Sequence, residues 1–154
     1  MTIEDDIAFL ERIPVLRELG PAALRILAIG AENYRLEAGQ VLFKAGDSAD
    51  GAYIVERGSF TLRTGRGGEA EVVAGPGTLL GESALLAETK RPATATAREE
   101  SMVLRISRAM FLKMLDGYPD AAERLRGMIT VRANQWAREI ENVRAALAPG
   151  KKPR

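Results

Sequence analysis

Two segments at the start of the chain carry apolar residues at the spacing of an amphipathic helix. In the first, the apolar positions recur every three or four residues, at Ile3, Ile7, Leu10 and Ile13. Thr2 precedes them as a candidate N-cap, with Asp5 three residues further on. The second segment begins at Pro21, whose missing N–H is not needed at a first helical position, and ends at Gly30. The pattern predicts N-terminal helices within residues 1–30.

Between residues 31 and 107 the apolar positions alternate with a period of two, in short runs that glycine-containing turns separate. The runs are NYRLEAG, QVLFKAGD, AYIVERG, SFTLRTG, EAEVVAG, TATARE and SMVLRIS. In the last run, Met102, Leu104 and Ile106 share one face of a strand and Val103 lies on the other. Short strands at such regular spacing predict a β-sandwich or barrel.

The glycine-rich stretch Gly65–Gly68 lies between two of these predicted strands and is typical of a hairpin loop. A phosphate-binding glycine loop is the alternative. That loop requires a following helix, whereas EAEVVAG has the period of a strand. We therefore expect a hairpin loop at this position.

After the predicted barrel the helical period returns. Ser107 is a good N-cap for the run RAMFLKML, which ends at Gly117, and Pro119 begins a long helix that is predicted to continue to about Ala148. Apolar residues form a stripe along this predicted helix, at Ile129, Trp136, Ile140, Val143 and Leu147. Such a stripe either packs on the barrel of the same chain or pairs two helices across a dimer axis, and the length of the helix favours pairing.

Length and composition are those of one soluble domain. The chain has 154 residues, 46% of them hydrophobic and 28% charged, and contains no apolar run of the ~20 residues that a membrane span needs. We expect a single domain over residues 1–148, with a barrel at 31–107, helices at 108–148 and a basic tail at 149–154. The first residues lack the features of an export signal, which indicates a cytoplasmic protein.

Two residue types are missing from the sequence and limit its chemistry. Because there is no cysteine, disulfides, thiolate zinc sites and cysteine nucleophiles are excluded. Because there is no histidine, the commonest metal ligand and the commonest general base are also missing. The formal net charge of +1 gives no overall attraction to nucleic acid. We therefore predict no catalytic site, no metal site and no cofactor.

The segment GESALLAETKRPATATA, residues 81–97, brings a glutamate and an arginine between glycine-rich turns. A second stretch, AGQVLFKAGDSADGAYIVERGSFTL, contains the scaffold positions Gly39, Phe43, Gly46, Asp47, Tyr53, Ile54 and Gly58. In its order of elements and in these two motifs the chain resembles the cyclic nucleotide-binding domain family over about residues 8–147. The resemblance implies a mainly β fold with flanking helices: a double-stranded β-helix, or jelly-roll-like barrel, with N-terminal helices and a long C-terminal helix.

The resemblance also implies a phosphate-binding cassette. A cyclic nucleotide offers one phosphate anion and one free ribose 2′-hydroxyl. Gly81 and the short helical run after it would bring backbone N–H groups to the phosphate, and Arg91 would add a charge-assisted contact. Glu82 would accept a hydrogen bond from the ribose hydroxyl. The expected ligand-binding residues are Gly81, Glu82, Ser83, Ala84, Arg91, Pro92, Ala93 and Trp136, with cAMP or cGMP as the ligand. The alternative is an exposed ion pair between Glu82 and Arg91.

Two positions depart from or extend this pattern. The family usually places Ser, Thr or Ala after the arginine, whereas Pro92 has neither an N–H nor a hydroxyl to donate to the phosphate. Pro92 also biases Arg91 toward an extended backbone, which would help to hold its side chain. Trp136 lies near the position that contacts the purine in the resembling family, and it either stacks on the base or packs in the helix seam.

The sequence therefore predicts a regulatory module that senses a cyclic nucleotide and shifts its C-terminal helix, not an enzyme. We expect a homodimer formed through that helix and an output through a partner protein that the sequence does not identify. Those regulators of the family that resemble the catabolite activator protein carry a helix-turn-helix domain after the long helix, and only residues 149–154 follow it here. Direct DNA binding and membrane association are therefore not expected. The alternative is a non-catalytic dimerisation or interaction module with a degenerate cassette.

Overall fold

A computed structural model of the chain describes residues 2–64 and 71–127. Helix α1 spans Ile3–Glu11, and Thr2 and Asp5 close the predicted cap with two reciprocal backbone-to-side-chain hydrogen bonds of 3.1 Å. The predicted helix over Pro21–Gly30 is confirmed as α3. Between them lies α2, Pro14–Arg17, whose four residues are too few for a helical period to show in the sequence.

Ten β-strands follow in the described part of the chain. They are β1 (Glu32–Leu36), β2 (Val41–Phe43), β3 (Ser48–Ala49), β4 (Gly51–Arg57), β5 (Phe60–Thr64), β6 (Glu71–Ala74), β7 (Leu79–Leu80), β8 (Thr89–Lys90), β9 (Ala93–Ala97) and β10 (Ser101–Ser107). Each of the seven predicted runs overlaps one of them, and β1, β4 and β9 begin one residue earlier than predicted. The two-residue strands β3, β7 and β8 were not predicted, because two residues are too short for an alternating pattern.

The strands form two four-stranded antiparallel sheets, one in the order β1-β10-β4-β7 and the other in the order β2-β9-β5-β6, while β3 pairs with β8. The helices flank the first sheet on its outer face. This is the predicted mainly β, jelly-roll-like barrel with flanking helices. Neighbouring strands are often far apart in the sequence, as where β1 pairs with β10.

Strand β10 shows how the two-residue period divides the interior into two cores. Leu104 and Ile106 are buried among the helices, in a core that also holds Leu10, Leu24, Leu27 and Phe111. Val103 points the other way, into a core between the sheets that includes Val55, Phe60, Leu80 and Ala95. Each large apolar side chain that is fully buried in this way contributes about 1.5–3 kcal/mol. The predicted alternation is confirmed for Val103, Leu104 and Ile106, but not for Met102: the register shifts between Met102 and Val103, and Met102 is not part of the core among the helices.

The C-terminal part begins with α4, Arg108–Asp116, where the Ser107 hydroxyl accepts a 3.2 Å hydrogen bond from the N–H of Met110. This confirms the predicted cap. Residues 119–127 are helical, as expected from Pro119. No helix in residues 2–64 and 71–127 is long and apolar enough to cross a membrane.

The remaining predictions concern residues outside the described ranges. They are the loop at 65–68, the helix beyond residue 127, the apolar stripe from Ile129 to Leu147 with Trp136, and the basic tail at 149–154.

Candidate anion-binding site

The predicted cassette lies between the two cores. It starts after β7 at Gly81, which has φ +82° and therefore a left-handed backbone that other residues adopt only at a cost. A one-turn 3₁₀ helix follows at Glu82–Leu85. Leu85 from this turn is fully buried in the helical core, so the cassette is packed against the helices.

Arg91, at the other end of the cassette, is buried. Only 5% of the residue is exposed, and its Nη1 is buried with no hydrogen-bond partner among the described residues. The guanidinium carbon lies 4.5 Å from the centroid of the Phe43 ring and 5.4 Å from that of Tyr53. Burial lowers the pKa of the Arg91 guanidinium, because the charged form has lost water. Burial at this depth differs from the predicted alternative of an exposed ion pair on a loop.

The backbone of Arg91 is fixed by the turn before β3. The N–H of Gly46 donates to the carbonyl of Arg91 at 2.8 Å, and the N–H of Arg91 donates to the carbonyl of Asp47 at 2.8 Å. One turn therefore holds both peptide groups of this residue. Pro92, which follows, is exposed. The position of Arg91 thus depends on hydrogen bonds to a turn more than 40 residues away in addition to the local bias from Pro92.

Gly81 and Arg91 meet in space. A Cβ atom at position 81 would collide with Nη1 of Arg91. The left-handed backbone favours glycine at this position, and a larger residue would force the end of the Arg91 side chain to move. The first residue of the cassette motif and its arginine therefore form one site.

The other predicted site residues differ in their exposure. Glu82 and Ala93 are half-buried, Ser83 is exposed and Ala84 is fully buried. The N–H of Ala84 donates to the carbonyl of Gly81 at 3.0 Å, so this N–H is used within the 3₁₀ turn. Trp136 lies outside the described residues.

A second arginine lies in the same barrel, in a different environment. Arg105 on β10 donates to Oε1 of Glu32 at 3.0 Å and to Oδ2 of Asp50 at 2.8 Å. Its hydrogen bonds to the two carboxylates outweigh the effect of burial and raise the pKa of Arg105, while Arg105 lowers the pKa of Asp50. It borders a cavity of about 320 Å³ that Tyr53 also lines. The charge of Arg105 is balanced within the protein.

A third arginine joins the cassette to α4. Nη1 of Arg108 donates to three carbonyl oxygens, those of Ala49 at 3.0 Å, Ala84 at 3.2 Å and Ala87 at 3.0 Å. The N–H of Arg108 donates to the carbonyl of Asp50 at 2.7 Å. The first residue of α4 is therefore bonded to the 3₁₀ turn and to β3.

Sequence reasoning had marked Phe43 and Tyr53 as scaffold positions and did not assign them to the site. Their contact with Arg91 depends on strands that are distant in sequence, so no local pattern predicts it. Arg108 was not among the predicted site residues. Among residues 2–64 and 71–127, no group of three acidic side chains lies close enough together to hold a metal ion, and the sequence has no histidine or cysteine.

Comparisons with known proteins agree with this arrangement. The model of the cyclic nucleotide-binding domain matches residues 34–118. The cyclic AMP receptor protein of Thermus thermophilus is 29% identical over 131 residues, which are 83% of this chain and 61% of that protein. A cyclic nucleotide-binding-like protein from Brucella abortus has a solved structure that is 44% identical, with a TM-score of 0.65, over 73% of this chain and 98% of that chain.

A lysophospholipase of Emericella nidulans is 32% identical over 108 residues, which are 68% of this chain and 7% of that enzyme. This similarity is confined to a small part of the enzyme. The chain also spans less than two thirds of the Thermus receptor. The matched residues 34–118 include Gly81, Arg91 and both rings beside the arginine. On the family match and the barrel that carries these residues, the chain belongs to the cyclic nucleotide-binding domain family.

Proposed function

We propose that this chain is a regulatory module that binds a cyclic nucleotide, cAMP or cGMP, and responds by shifting its C-terminal helix. The single observation that carries the proposal is Arg91. The residue is 5% exposed, its Nη1 is unbonded among the described residues, and none of the carboxylates in those residues forms an ion pair with it. A buried cation without such a partner is unfavourable, and a phosphate supplies both charge and hydrogen-bond acceptors.

In this proposal Arg91 binds the cyclic phosphate next to Gly81. Glu82, half-buried beside Gly81, accepts a hydrogen bond from the ribose 2′-hydroxyl. Ser83 and Ala93 line the sugar and phosphate. A single acidic residue at this position also disfavours linear phosphates, which carry more negative charge. The name of the Thermus relative, a cyclic AMP receptor, supports cAMP as the first ligand to test.

A response in the helices is supported by the contacts of the 3₁₀ turn. Leu85 is buried in the helical core, and Arg108 bonds the carbonyls of Ala84 and Ala87 to the start of α4. A ligand that moves the 3₁₀ turn therefore acts on α4 directly. We further propose that the module is a homodimer paired through the C-terminal stripe, with Trp136 either capping the base or packing in that seam.

The second candidate is an interaction or dimerisation module that does not bind a nucleotide. The observation that favours it is Pro92, which has no N–H to donate to a phosphate beside Arg91. Under this alternative the rings beside Arg91 are its permanent partners.

Isothermal titration calorimetry of the whole chain with cAMP and cGMP decides between the two. We expect a dissociation constant in the micromolar range, which corresponds to a free energy of binding on the order of −7 to −8 kcal/mol. Adenosine, which has the base and ribose but no phosphate, is the matched control and is expected to bind at least about a hundred-fold more weakly. The absence of binding below about 1 mM for both cyclic nucleotides would exclude the sensor and favour the interaction module.

A further inference from the structure

Two aromatic rings from different sheets form a surface under Arg91. Phe43 is the last residue of β2, in one sheet, and Tyr53 lies in β4, in the other. Their centroids are 5.9 Å apart with an angle of 29° between the ring planes. Both rings pack against the core between the sheets. We call the pair Phe43 and Tyr53 the aromatic shelf. It is part of the packed barrel, so it is more rigid than a loop.

The shelf contacts the guanidinium of Arg91 with the geometry of a cation–π interaction. The distances of 4.5 Å and 5.4 Å from the guanidinium carbon to the two centroids are within the range of about 6 Å in which the ring face attracts a cation. A ring face attracts the positive charge, but it does not accept a hydrogen bond from each N–H of the guanidinium. The shelf therefore holds the cation and leaves donor capacity unused, as the unbonded Nη1 indicates.

The guanidinium on the shelf is also the guanidinium of the cassette. Its Nη1 lies against Gly81, where a Cβ would collide with it. The backbone of Arg91 is fixed at the same time by the turn that contains Gly46 and Asp47. Three separate constraints thus place this side chain at the start of the cassette before any ligand arrives.

We propose that Phe43 and Tyr53 are positioning residues of the anion site: the shelf preorganises the Arg91 guanidinium for the phosphate. An arginine that is already ordered loses less side-chain freedom on binding than a mobile one. Because Pro92 offers the phosphate no N–H, an arginine that is already in place offsets part of that lost contact. The ligand in this inference rests on the proposed function, whereas the role of the rings in holding Arg91 does not.

The test compares four variants of the whole chain. Tyr53→Leu and Phe43→Leu remove a ring face and keep apolar bulk, and Tyr53→Phe keeps the face. Phe60→Leu is the matched control, because Phe60 is a fully buried ring of the same core that is not one of the two rings stacked with Arg91. Two readouts are taken: the Nε–Hε resonance of Arg91 in ¹⁵N-labelled protein without ligand, and the dissociation constant for cAMP by calorimetry.

In the wild type, the Arg91 resonance is expected upfield because of the ring currents of the shelf. Tyr53→Leu and Phe43→Leu should move it downfield and weaken cAMP binding by about ten-fold each. Tyr53→Phe should leave the Arg91 resonance near its wild-type position and the dissociation constant for cAMP within about two-fold of the wild-type value. Phe60→Leu should lower the melting temperature and change neither the resonance nor the binding, which separates positioning from general stability.

The inference is overturned if the Leu variants leave the Arg91 resonance unchanged, or if they bind cAMP as tightly as the wild type or more tightly. Tighter binding would mean that the shelf competes with the phosphate. If the wild type binds no cyclic nucleotide while the resonances move as expected, the proposed function fails and the contact between the shelf and Arg91 stands.

Discussion

Two arginines in one barrel are treated in opposite ways. Arg105 is 19% exposed at its side chain and donates to the carboxylates of Glu32 and Asp50, which raise its pKa. Arg91 is more deeply buried, lies on two aromatic rings and has a lowered pKa. Arg105 is paired with two carboxylates, whereas Arg91 forms no ion pair with any of the residues that the structure describes.

The difference teaches where a ligand is needed. An ion pair that is complete in the free protein has little to gain from an added anion, since the anion must displace a carboxylate. A buried guanidinium with an unbonded N–H gains a charge-assisted hydrogen bond. Within the described ranges, the environment of Arg105 therefore indicates a structural role and that of Arg91 a binding role, although both residues are arginines.

The largest expected effect comes from removing each arginine in turn. Arg91→Met should weaken cAMP binding by about a hundred-fold. The free energy of unfolding of this variant should equal or exceed that of the wild type, because the substitution removes a buried charge that has no ion pair. Arg105→Met should keep binding within about three-fold and lower the free energy of unfolding by about 0.5–1 kcal/mol, since its carboxylate partners are exposed. Calorimetry and urea unfolding measure the two quantities. The comparison breaks down if Arg105→Met is the variant that loses binding.

The next effect is at the glycine that touches Arg91. Gly81→Ala combines a left-handed backbone with a collision against Nη1 of Arg91. Gly77→Ala is the control, because Gly77 has φ +88° and no atom within 4 Å of an added Cβ. Both variants should lose about 1 kcal/mol from the backbone. Only Gly81→Ala should also weaken cAMP binding, by at least about ten-fold. Equal affinities of the two variants for cAMP would show that the contact between Gly81 and Arg91 does not contribute to binding.

The third effect concerns transmission from the cassette. Arg108→Met removes the donor from three carbonyls and should lower the free energy of unfolding by about 1–2 kcal/mol. Under the proposed function, cAMP should change the fluorescence of Trp136, the single tryptophan of the chain, and Arg108→Met should reduce that change. Arg124→Met is the control, since Arg124 donates to one carbonyl, that of Glu18, among the described residues. A full fluorescence response in Arg108→Met would show that the cassette and α4 are coupled by another route.

The smallest effect concerns Glu56, an acid whose buried oxygen lacks a hydrogen bond among the described residues, as Nη1 of Arg91 does. Burial raises the pKa of Glu56 above its usual 4.5, Asp6 adds to the shift, and Oε1 of Glu56 is buried without a hydrogen bond in the described part of the chain. A raised pKa means that the folded state favours the protonated acid, so ionised Glu56 destabilises the fold at neutral pH. This destabilisation disappears as the pH falls below the usual pKa of a glutamate, because the carboxyl is then protonated in the folded and the unfolded state.

Glu56→Gln, which imitates the protonated acid, should therefore raise the free energy of unfolding by up to about 1 kcal/mol at pH 7 and by less near pH 4. Glu100→Gln serves as the control, because Glu100 pairs with Arg35 at 2.9 Å and is 63% exposed at its side chain. It should be neutral or slightly destabilising at pH 7. Urea unfolding at both pH values makes the measurement, and a less stable Glu56→Gln at pH 7 would contradict the assignment.

The sequence allowed the elements with a strong local signal to be predicted. The reciprocal cap of Thr2 and Asp5, the cap at Ser107 and the alternation of Val103, Leu104 and Ile106 each depend on residues a few positions apart. Such signals depend on one helix end or one strand face, so they are legible before the fold is known. Elements of two to four residues, such as β3 and α2, are too short to show a period.

The site was predicted in part for a similar reason. Gly81 and Arg91 follow a motif within one segment, so a resemblance could identify them. The rings beside Arg91 come from two different sheets, and the acceptors of Arg108 come from two segments distant from α4. These contacts depend on strand register and on packing between cores, which the residues around each position do not encode.

The most direct test of the account follows Arg91 and Arg105 together as ligand is added. In ¹⁵N-labelled protein, the Nε–Hε resonances of both arginines are recorded while cAMP is titrated to saturation. The account predicts that the Arg91 resonance moves with the same saturation curve as calorimetry, because the phosphate binds its guanidinium, while the Arg105 resonance stays nearly in place. An Arg91 resonance that is unmoved at saturating cAMP, or a shift confined to Arg105, would contradict the claim that Arg91 is the anion site.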